Sequence, residues 1–193
     1  MCRISGILHF DHKPVNVKNL IEMRDSMYHG GPDDCDIFID ENGSAALAHR
    51  RLSILDLSYA GRQPMKSKDD RYTITYNGEI YNFHEIKKEL SEKGYKFSTN
   101  TDTEVLLTAF EEEGKKCFDK FHGMFAFAIW DSKLKKLIVV RDRIGIKPLY
   151  YYITNDEFVF GSELKSIIYF EGFKKKINLN ALQMYLQYSY VPA

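Results

Sequence analysis

Short hydrophobic runs separated by polar turns dominate the first part of the chain. Residues 2–10 are mostly apolar and predict a buried strand that begins almost at the amino terminus. Hydrophobic residues then recur at helical spacing over residues 17–28, up to a Gly-Gly-Pro stop at 30–32. Further strands are predicted at residues 44–48, 52–57 and 72–76.

Helical patterns mark the middle and the end of the chain. Residues 83–93 lie between Asn82 and Gly94, residue types that commonly start and end helices. Residues 103–113 carry one apolar face, and residues 179–188 also have a helical pattern. Between these helices, strands are predicted at residues 124–130, 137–140, 149–153 and 158–160. Helices segregated from runs of strands predict an α+β layered domain with antiparallel sheets.

Composition narrows the function classes. The 193 residues, 44% of them hydrophobic, suffice for one substantial core and are few for two, so a single domain is predicted. Lysine plus arginine (27) balance aspartate plus glutamate (27), which disfavours a nucleic-acid partner. The longest apolar stretch is about a third of a membrane span, and no signal peptide opens the chain. We therefore expect no membrane partner and a cytoplasmic location.

Cysteine and histidine spacing gives no metal or disulfide pattern. Cys35 and Cys117 lie far from each other and from Cys2, without any C-x-x-C pair. The six histidines lack metal-ligand spacing, so no metal site is predicted. The phosphate-loop, Rossmann, serine-hydrolase and zincin motifs are also absent from the sequence.

Cys2 would become the first residue if Met1 were removed. A thiol and a free α-amine would then share one residue, and their ordinary pKa values of about 8.5 and about 7.7 to 8.0 let the amine accept the thiol proton near neutral pH. One residue would thus supply both nucleophile and base. The alternative is a small buried residue in the first strand.

The sequence 76–82, Tyr-Asn-Gly-Glu-Ile-Tyr-Asn, interrupts an apolar run with polar residues. The Asn77 side-chain amide and the Gly78 N–H are two neutral donors that could converge on an oxyanion. The alternative is a hairpin turn, since Asn-Gly is a common turn signal. Arg51 could grip a carboxylate and Asp102 an ammonium, against the alternatives of an exposed arginine and a helix-capping aspartate.

Several stretches together carry a family resemblance. They are Met1-Cys2, Gly31-Pro32-Asp33, Arg51-Leu52-Ser53-Ile54-Leu55-Asp56, Gln63-Pro64-Met65, 76–83, Asp102-Thr103-Glu104-Val105, 123–128, 141–150 and 160–163. Over nearly its whole length the chain resembles the class II glutamine amidotransferase domain of glutamine-hydrolysing asparagine synthetases. The resemblance implies the N-terminal nucleophile hydrolase fold, a four-layer αββα sandwich with two antiparallel sheets.

The resemblance also implies roles for individual residues. Cys2 would attack the side-chain carboxamide of L-glutamine, and Asn77 and Gly78 would hold the oxyanion. Arg51 would bind the substrate α-carboxylate, while Asp102 and Glu79 would serve the α-ammonium. The backbone of a neighbouring segment would line the pocket: Leu52, Ser53, Ile54 and Leu55. Two residues depart from the family pattern: Arg3 stands at a usual glycine, and Gly30 stands at a usual arginine.

The acceptor half of such enzymes is not recognisable in the sequence. Their synthetase domains bind ATP through a Ser-Gly-Gly-x-Asp-Ser signature, which the chain lacks. We therefore expect residues 1–193 to be the N-terminal part of a longer protein, with ATP and Mg²⁺ used only by a C-terminal synthetase domain and no cofactor here. A sugar-acid acceptor and a non-catalytic binding or regulatory module remain alternatives. A homodimer is left open.

Overall fold

Two antiparallel sheets form the centre of the molecule. In a computed structural model of the chain, residues 1–53 and 59–192 are described. The first sheet has the order β2-β3-β1-β9-β8. Its strands are β1 (Arg3–His9), β2 (Asp34–Ile39), β3 (Ala45–Arg51), β8 (Tyr150–Ile153) and β9 (Glu157–Gly161). The second sheet has the order β4-β5-β6-β7. Its strands are β4 (Met65–Lys66), β5 (Tyr72–Ile80), β6 (Gly123–Asp131) and β7 (Lys136–Arg141).

Helices cover the outer faces of both sheets or follow them in the chain. The α-helices are α1 (Val17–Asp25), α2 (Phe83–Glu92), α3 (Asp102–Glu113), α4 (Leu164–Ile168) and α5 (Leu179–Tyr188). Short 3-10 helices span Tyr28–Gly30, Tyr59–Gly61 and Gly114–Lys120. Helix α5 buries none of its side chains against the described residues.

Three hydrophobic clusters separate the layers. One joins Leu20 and Met23 of α1 to the first sheet, and a second joins Leu106 of α3 to the second sheet. The third lies between the sheets and includes Ile4 and Trp130. Because each cluster fills one interface, the layers run helix, sheet, sheet, helix. The predicted α+β fold with two antiparallel sheets in a four-layer sandwich is confirmed.

Strand alternation decides which side chains face the space between the sheets. In β3, Ala45 and Leu47 belong to the cluster between the sheets, whereas Ala46 and Ala48 pack toward α1. The same two-residue period continues to His49 and Arg51, and in β5 it places Asn77 and Glu79 on the inner face. Polar side chains from both sheets therefore meet at one end of this layer.

Some boundaries differ from the sequence predictions. Strand β5 continues through Ile80 in register with β6, so the hairpin-turn interpretation of Asn77-Gly78 is wrong. Pairing along the whole of β6 holds this polar stretch extended. Strand β3 ends at Arg51, while residues 54–57 of the predicted strand 52–57 lie outside the described residues. Strand β2 and helix α4 were not predicted, since both are short and lack a clear period.

Candidate active site

A cavity opens at the end of the inter-sheet layer where β1 begins. Its wall combines the start of the chain, the end of β3, the end of β5 and the start of α3. The lining residues are Met1, Cys2, Arg51, Leu52, Gly61, Gln63, Tyr76, Asn77, Gly78, Glu79, Thr101, Asp102 and Thr103. Residues that are up to 102 positions apart in sequence thus share one concave surface.

Cys2 lies directly before β1 and points toward the segment after β3. Its thiol lies 3.5 Å from the Leu52 carbonyl oxygen, to which it donates, and the Leu52 N–H donates to Sγ at 3.4 Å. Burial raises the pKa of the Cys2 thiol above its ordinary value, against the opposing effects of the Leu52 hydrogen bond and of nearby positive charge. The thiol is therefore protonated at neutral pH and needs a base to become a nucleophile.

Asn77 presents an unpartnered donor to the same cavity. The residue is 1% exposed, and its side chain points into the layer between the sheets. Among the described residues, no acceptor contacts its buried Nδ2. A buried amide without a partner costs free energy on the order of 1 to 3 kcal/mol, so such a group commonly serves a ligand.

Gly78 offers a second donor through its backbone. Antiparallel pairing alternates, so the N–H groups of Tyr76, Gly78 and Ile80 all point away from β6. The Tyr76 N–H donates to Gln63 Oε1 at 2.7 Å, and the Ile80 N–H donates to Asp102 Oδ2 at 3.0 Å. The Gly78 N–H lies between these two and faces the cavity that Gly78 lines.

His49 fixes the backbone beside these donors. Its Nε2–H donates to the Tyr76 carbonyl oxygen across 3.1 Å, which joins the first sheet to β5. Complete burial, opposed by that hydrogen bond, lowers the pKa of His49 to about 4. The ring is therefore neutral near pH 7, and it braces the strand that carries Asn77.

Arg51 ends β3 at the opposite wall of the cavity from β5. Its side chain is buried, and its guanidinium packs against Gly61. A Cβ at residue 61 would overlap the Arg51 Nη2, so the absence of a side chain there makes room for the guanidinium. A cation enclosed in this way suits a carboxylate ligand.

Asp102 lies in the first turn of α3, which Thr101 caps by accepting a hydrogen bond from the Glu104 N–H at 3.3 Å. The helix-capping interpretation of Asp102 is therefore wrong. Its carboxylate accepts from the Tyr76 hydroxyl at 2.6 Å and from the Ile80 N–H. Burial raises the pKa of Asp102, against those hydrogen bonds. Glu79 also lines the cavity and is exposed.

Comparison with known proteins shows the family of the chain that carries this cavity. A family model described as a glutamine amidotransferase domain matches residues 1–193. The chain belongs to the glutamine amidotransferase domain family. The match covers the full sequence, including Cys2 and every cavity-lining residue.

Curated relatives of the amidotransferase domain are larger proteins. Asparagine synthetase [glutamine-hydrolyzing] 3 of Bacillus subtilis is 39% identical over 94% of this chain and 30% of its own length. Putative asparagine synthetase [glutamine-hydrolyzing] 2 of Methanocaldococcus jannaschii is 40% identical over 100% of this chain and 40% of its own length. The chain thus spans less than half the length of these relatives.

Solved structures show the same fold for the amidotransferase domain. Glutamine phosphoribosylpyrophosphate amidotransferase of B. subtilis superposes with a TM-score of 0.74 over 86% of this chain and 43% of its own. Sequence identity is 22%, so this likeness establishes the fold alone. That fold is the N-terminal nucleophile hydrolase fold.

Most of the predicted site residues of the amidotransferase domain meet at the cavity. The residues that do so are Cys2, Arg51, Leu52, Asn77, Gly78, Glu79 and Asp102. Ser53 is not among the lining residues, and its N–H donates to Asp33 Oδ2 at 2.8 Å. Ile54 and Leu55 lie outside the described residues.

Three residues that support the groups of the amidotransferase cavity were missed in the sequence. Gln63 bridges β5 and α3 by accepting from the Tyr76 N–H and donating to Thr103 Oγ1 at 3.3 Å. His49 holds the backbone of the strand that carries Asn77, and Gly61 leaves room for the Arg51 guanidinium. One signal in the sequence could have identified Gln63, because it belongs to the Gln-Pro-Met stretch of the family resemblance. His49 and Gly61 carry no local pattern.

Met1 occupies part of the cavity. It lines the wall beside Cys2, and its sulfur contacts the Lys147 ammonium, which is buried. Within residues 1–53 and 59–192, no three histidine, cysteine, aspartate or glutamate side chains are grouped to hold a metal ion. No helix in those ranges is long and apolar enough to cross a membrane.

Proposed function

We propose that this chain hydrolyses the side-chain amide of L-glutamine and releases ammonia, with Cys2 as nucleophile. One observation carries the proposal: Asn77 Nδ2, which has no acceptor among residues 1–53 and 59–192, and the Gly78 N–H, which points away from β6, line the same cavity as the Cys2 thiol. A nucleophile beside paired neutral donors is the arrangement that acyl transfer requires.

The reaction follows from these groups. Cys2 Sγ bonds to the carboxamide carbon and its proton passes to the base, while Asn77 and Gly78 hold the oxyanion. The C–N bond then breaks, the departing nitrogen takes the proton, and ammonia leaves a glutamyl thioester. Water attacks the thioester carbon, the C–S bond breaks, and glutamate leaves as Cys2 regains its proton.

The base in this proposal is the α-amine of Cys2 after Met1 is removed. The raised thiol pKa makes a base necessary. Among the described residues, Cys2 hydrogen-bonds through its side chain to Leu52 backbone groups, which are not bases. Removal of Met1 would also clear the part of the cavity that its side chain lines.

Glutamine recognition uses charge at both ends of its amino-acid group. Arg51 would bind the α-carboxylate through its guanidinium. Glu79 and Asp102 would face the α-ammonium, and the Glu79 side chain makes no hydrogen bond or ion pair with the described residues that would compete. Backbone groups of Leu52 and, in the same proposal, of Ile54 and Leu55 would complete the pocket.

The acceptor of the ammonia is proposed from the relatives. Their names, asparagine synthetase [glutamine-hydrolyzing], favour aspartate over a sugar acid as the molecule amidated. A C-terminal synthetase domain of a longer protein would supply ATP and Mg²⁺ binding, with no cofactor held here. A cytoplasmic location is part of the same proposal, which leaves the oligomeric state open. The presence of Cys2, Asn77 and Gly78 at one cavity with Arg51 and Asp102 favours an enzyme over a non-catalytic module.

The test is ammonia release from glutamine labelled with ¹⁵N in the side-chain amide. We expect the full-length protein to release labelled ammonia and, with ATP, Mg²⁺ and aspartate, to form labelled asparagine. A Cys2→Ser variant serves as the matched control. Release at equal rates by the two proteins would contradict the glutaminase proposal. Release without labelled asparagine would contradict the acceptor alone.

A further inference from the structure

The two residues that depart from the family pattern contact each other. Arg3 begins β1 and lies on the face of the strand opposite to Cys2, as alternation predicts. Gly30 ends a 3-10 helix that follows α1. An ideal Cβ at Gly30 would lie 2.5 Å from Arg3 Cζ and 2.7 Å from Arg3 Cγ. The arginine therefore follows a path that only a residue without a side chain at position 30 leaves open.

The Arg3 guanidinium reaches back to the start of the chain. Its Nη1 donates to the Cys2 carbonyl oxygen at 3.0 Å and to the Met1 carbonyl oxygen at 2.7 Å. Its Nε donates to Glu163 Oε1 at 2.6 Å, and that oxygen also lies 2.9 Å from His29 Nε2. Glu163 follows β9, so the guanidinium ties the first residues to a neighbouring strand.

Cys2 needs such an anchor because it lies outside the sheet. Ladder pairing of β1 with β3 starts at Arg3, and pairing with β9 starts at Ser5. Once Met1 is removed, a single peptide bond would join Cys2 to the protein. Rotation about its backbone would then move both Sγ and the α-amine. Sγ has to reach the carboxamide carbon of glutamine, and the α-amine has to reach the thiol proton.

We propose that Arg3 is a positioning residue for the nucleophile. By holding the Cys2 carbonyl oxygen over the open surface of Gly30, its guanidinium aims the Cys2 thiol and α-amine at the cavity. Arg3 itself is not a lining residue of that cavity. It should therefore affect turnover without contributing to glutamine binding. This inference rests on the proposed glutaminase function.

The test compares Arg3→Met, Gly30→Ala and the double variant in the full-length protein. Met keeps the apolar stem of the side chain without the guanidinium donors, and Ala at position 30 displaces the guanidinium from the other side. We expect each single variant to lower kcat about 10- to 100-fold with an unchanged KM for glutamine, because small misplacement of reacting groups costs about that much. The double variant should lose little more than either single variant, since both break one interaction.

Arg71→Met is the matched control. It removes another arginine–carboxylate pair, with Asp131 at 2.8 Å, at the end of β5 opposite to Asn77. Rates are normalised to folded protein by thermal unfolding. Wild-type kcat in Arg3→Met or Gly30→Ala would overturn the proposal. So would additive losses in the double variant, or an equal loss in Arg71→Met.

A second readout does not depend on turnover. The rate at which iodoacetamide alkylates Cys2, measured by peptide mass spectrometry, should change in Arg3→Met and in Gly30→Ala but not in Arg71→Met. An unchanged alkylation rate in both would count against Arg3. Failure of the wild-type protein to release ammonia would instead refute the proposed function, while the alkylation comparison would still judge the role of Arg3.

Discussion

The His49 Nε2–H donates a hydrogen bond to the Tyr76 carbonyl oxygen at 3.1 Å, across the interface of the two sheets. Burial holds the pKa of His49 at about 4 in the folded protein, against an ordinary value of 6.5. The unfolded chain therefore binds this proton at a higher pH than the folded one. The contribution of His49 to stability is full above pH 6.5 and is lost as the pH falls toward 4.

We expect this loss to be on the order of 2 to 3 kcal/mol between pH 7.5 and pH 4.5. The measurement is the free energy of unfolding by urea at both values. His49→Gln is the control, since glutamine keeps an N–H donor and does not titrate. Equal pH dependence in wild type and His49→Gln would refute the neutral buried histidine.

Asn77→Ala should lower kcat far more than it raises KM. The Asn77 amide would bind the oxyanion mainly in the transition state, and loss of one such donor costs about 10²- to 10³-fold in turnover. Steady-state ammonia release at varied glutamine gives both constants. Unchanged kcat with a raised KM would make Asn77 a substrate-binding residue instead.

Arg51→Ala should weaken glutamine binding by about 1.5 to 3 kcal/mol, the range of a hydrogen bond to a charged group. Binding is measured by calorimetry in the Cys2→Ala background, where no turnover consumes the substrate. Unchanged affinity would remove Arg51 from the glutamine site.

Gly61→Ala should displace the Arg51 guanidinium from its position in the cavity. The new Cβ would overlap Arg51 Nη2, so we expect a raised KM for glutamine with nearly constant kcat. Ala60→Ser, an exposed neighbour in the same 3-10 helix, is the control. A Gly61→Ala variant with the KM of the control would show that the displaced Arg51 guanidinium still binds glutamine, which would contradict the prediction.

Cys2→Ala should abolish ammonia release, and activity should track the fraction of chains without Met1. An amide nitrogen has no basic lone pair, so a retained Met1 would remove the base while the thiol remains. Intact mass spectrometry beside a glutaminase assay measures both quantities. Full activity in chains that keep Met1, or a tenth of the wild-type rate in Cys2→Ala, would contradict the mechanism.

Local sequence determined most elements of this domain. Strong hydrophobic periods predicted β1, β6 and α3 within one residue at each end, because burial of one face or both faces imposes that period. Alternation from Ile4 also determined that Cys2 and Arg3 lie on opposite faces. The family resemblance singled out Cys2, Arg51, Asn77, Gly78 and Asp102, for which each local pattern alone favoured a structural explanation.

Tertiary structure alone decided how those residues act together. Whether Asn77-Gly78 forms a turn or a strand depended on pairing with β6, which a local Asn-Gly signal does not report. The partners of His49, Gly61 and Gly30 lie 27, 10 and 27 positions away, namely Tyr76, Arg51 and Arg3. Such contacts follow from the stacking of two sheets and the loops around them. These contacts leave no hydrophobic period in the sequence, because each depends on one pair of residues that come close together.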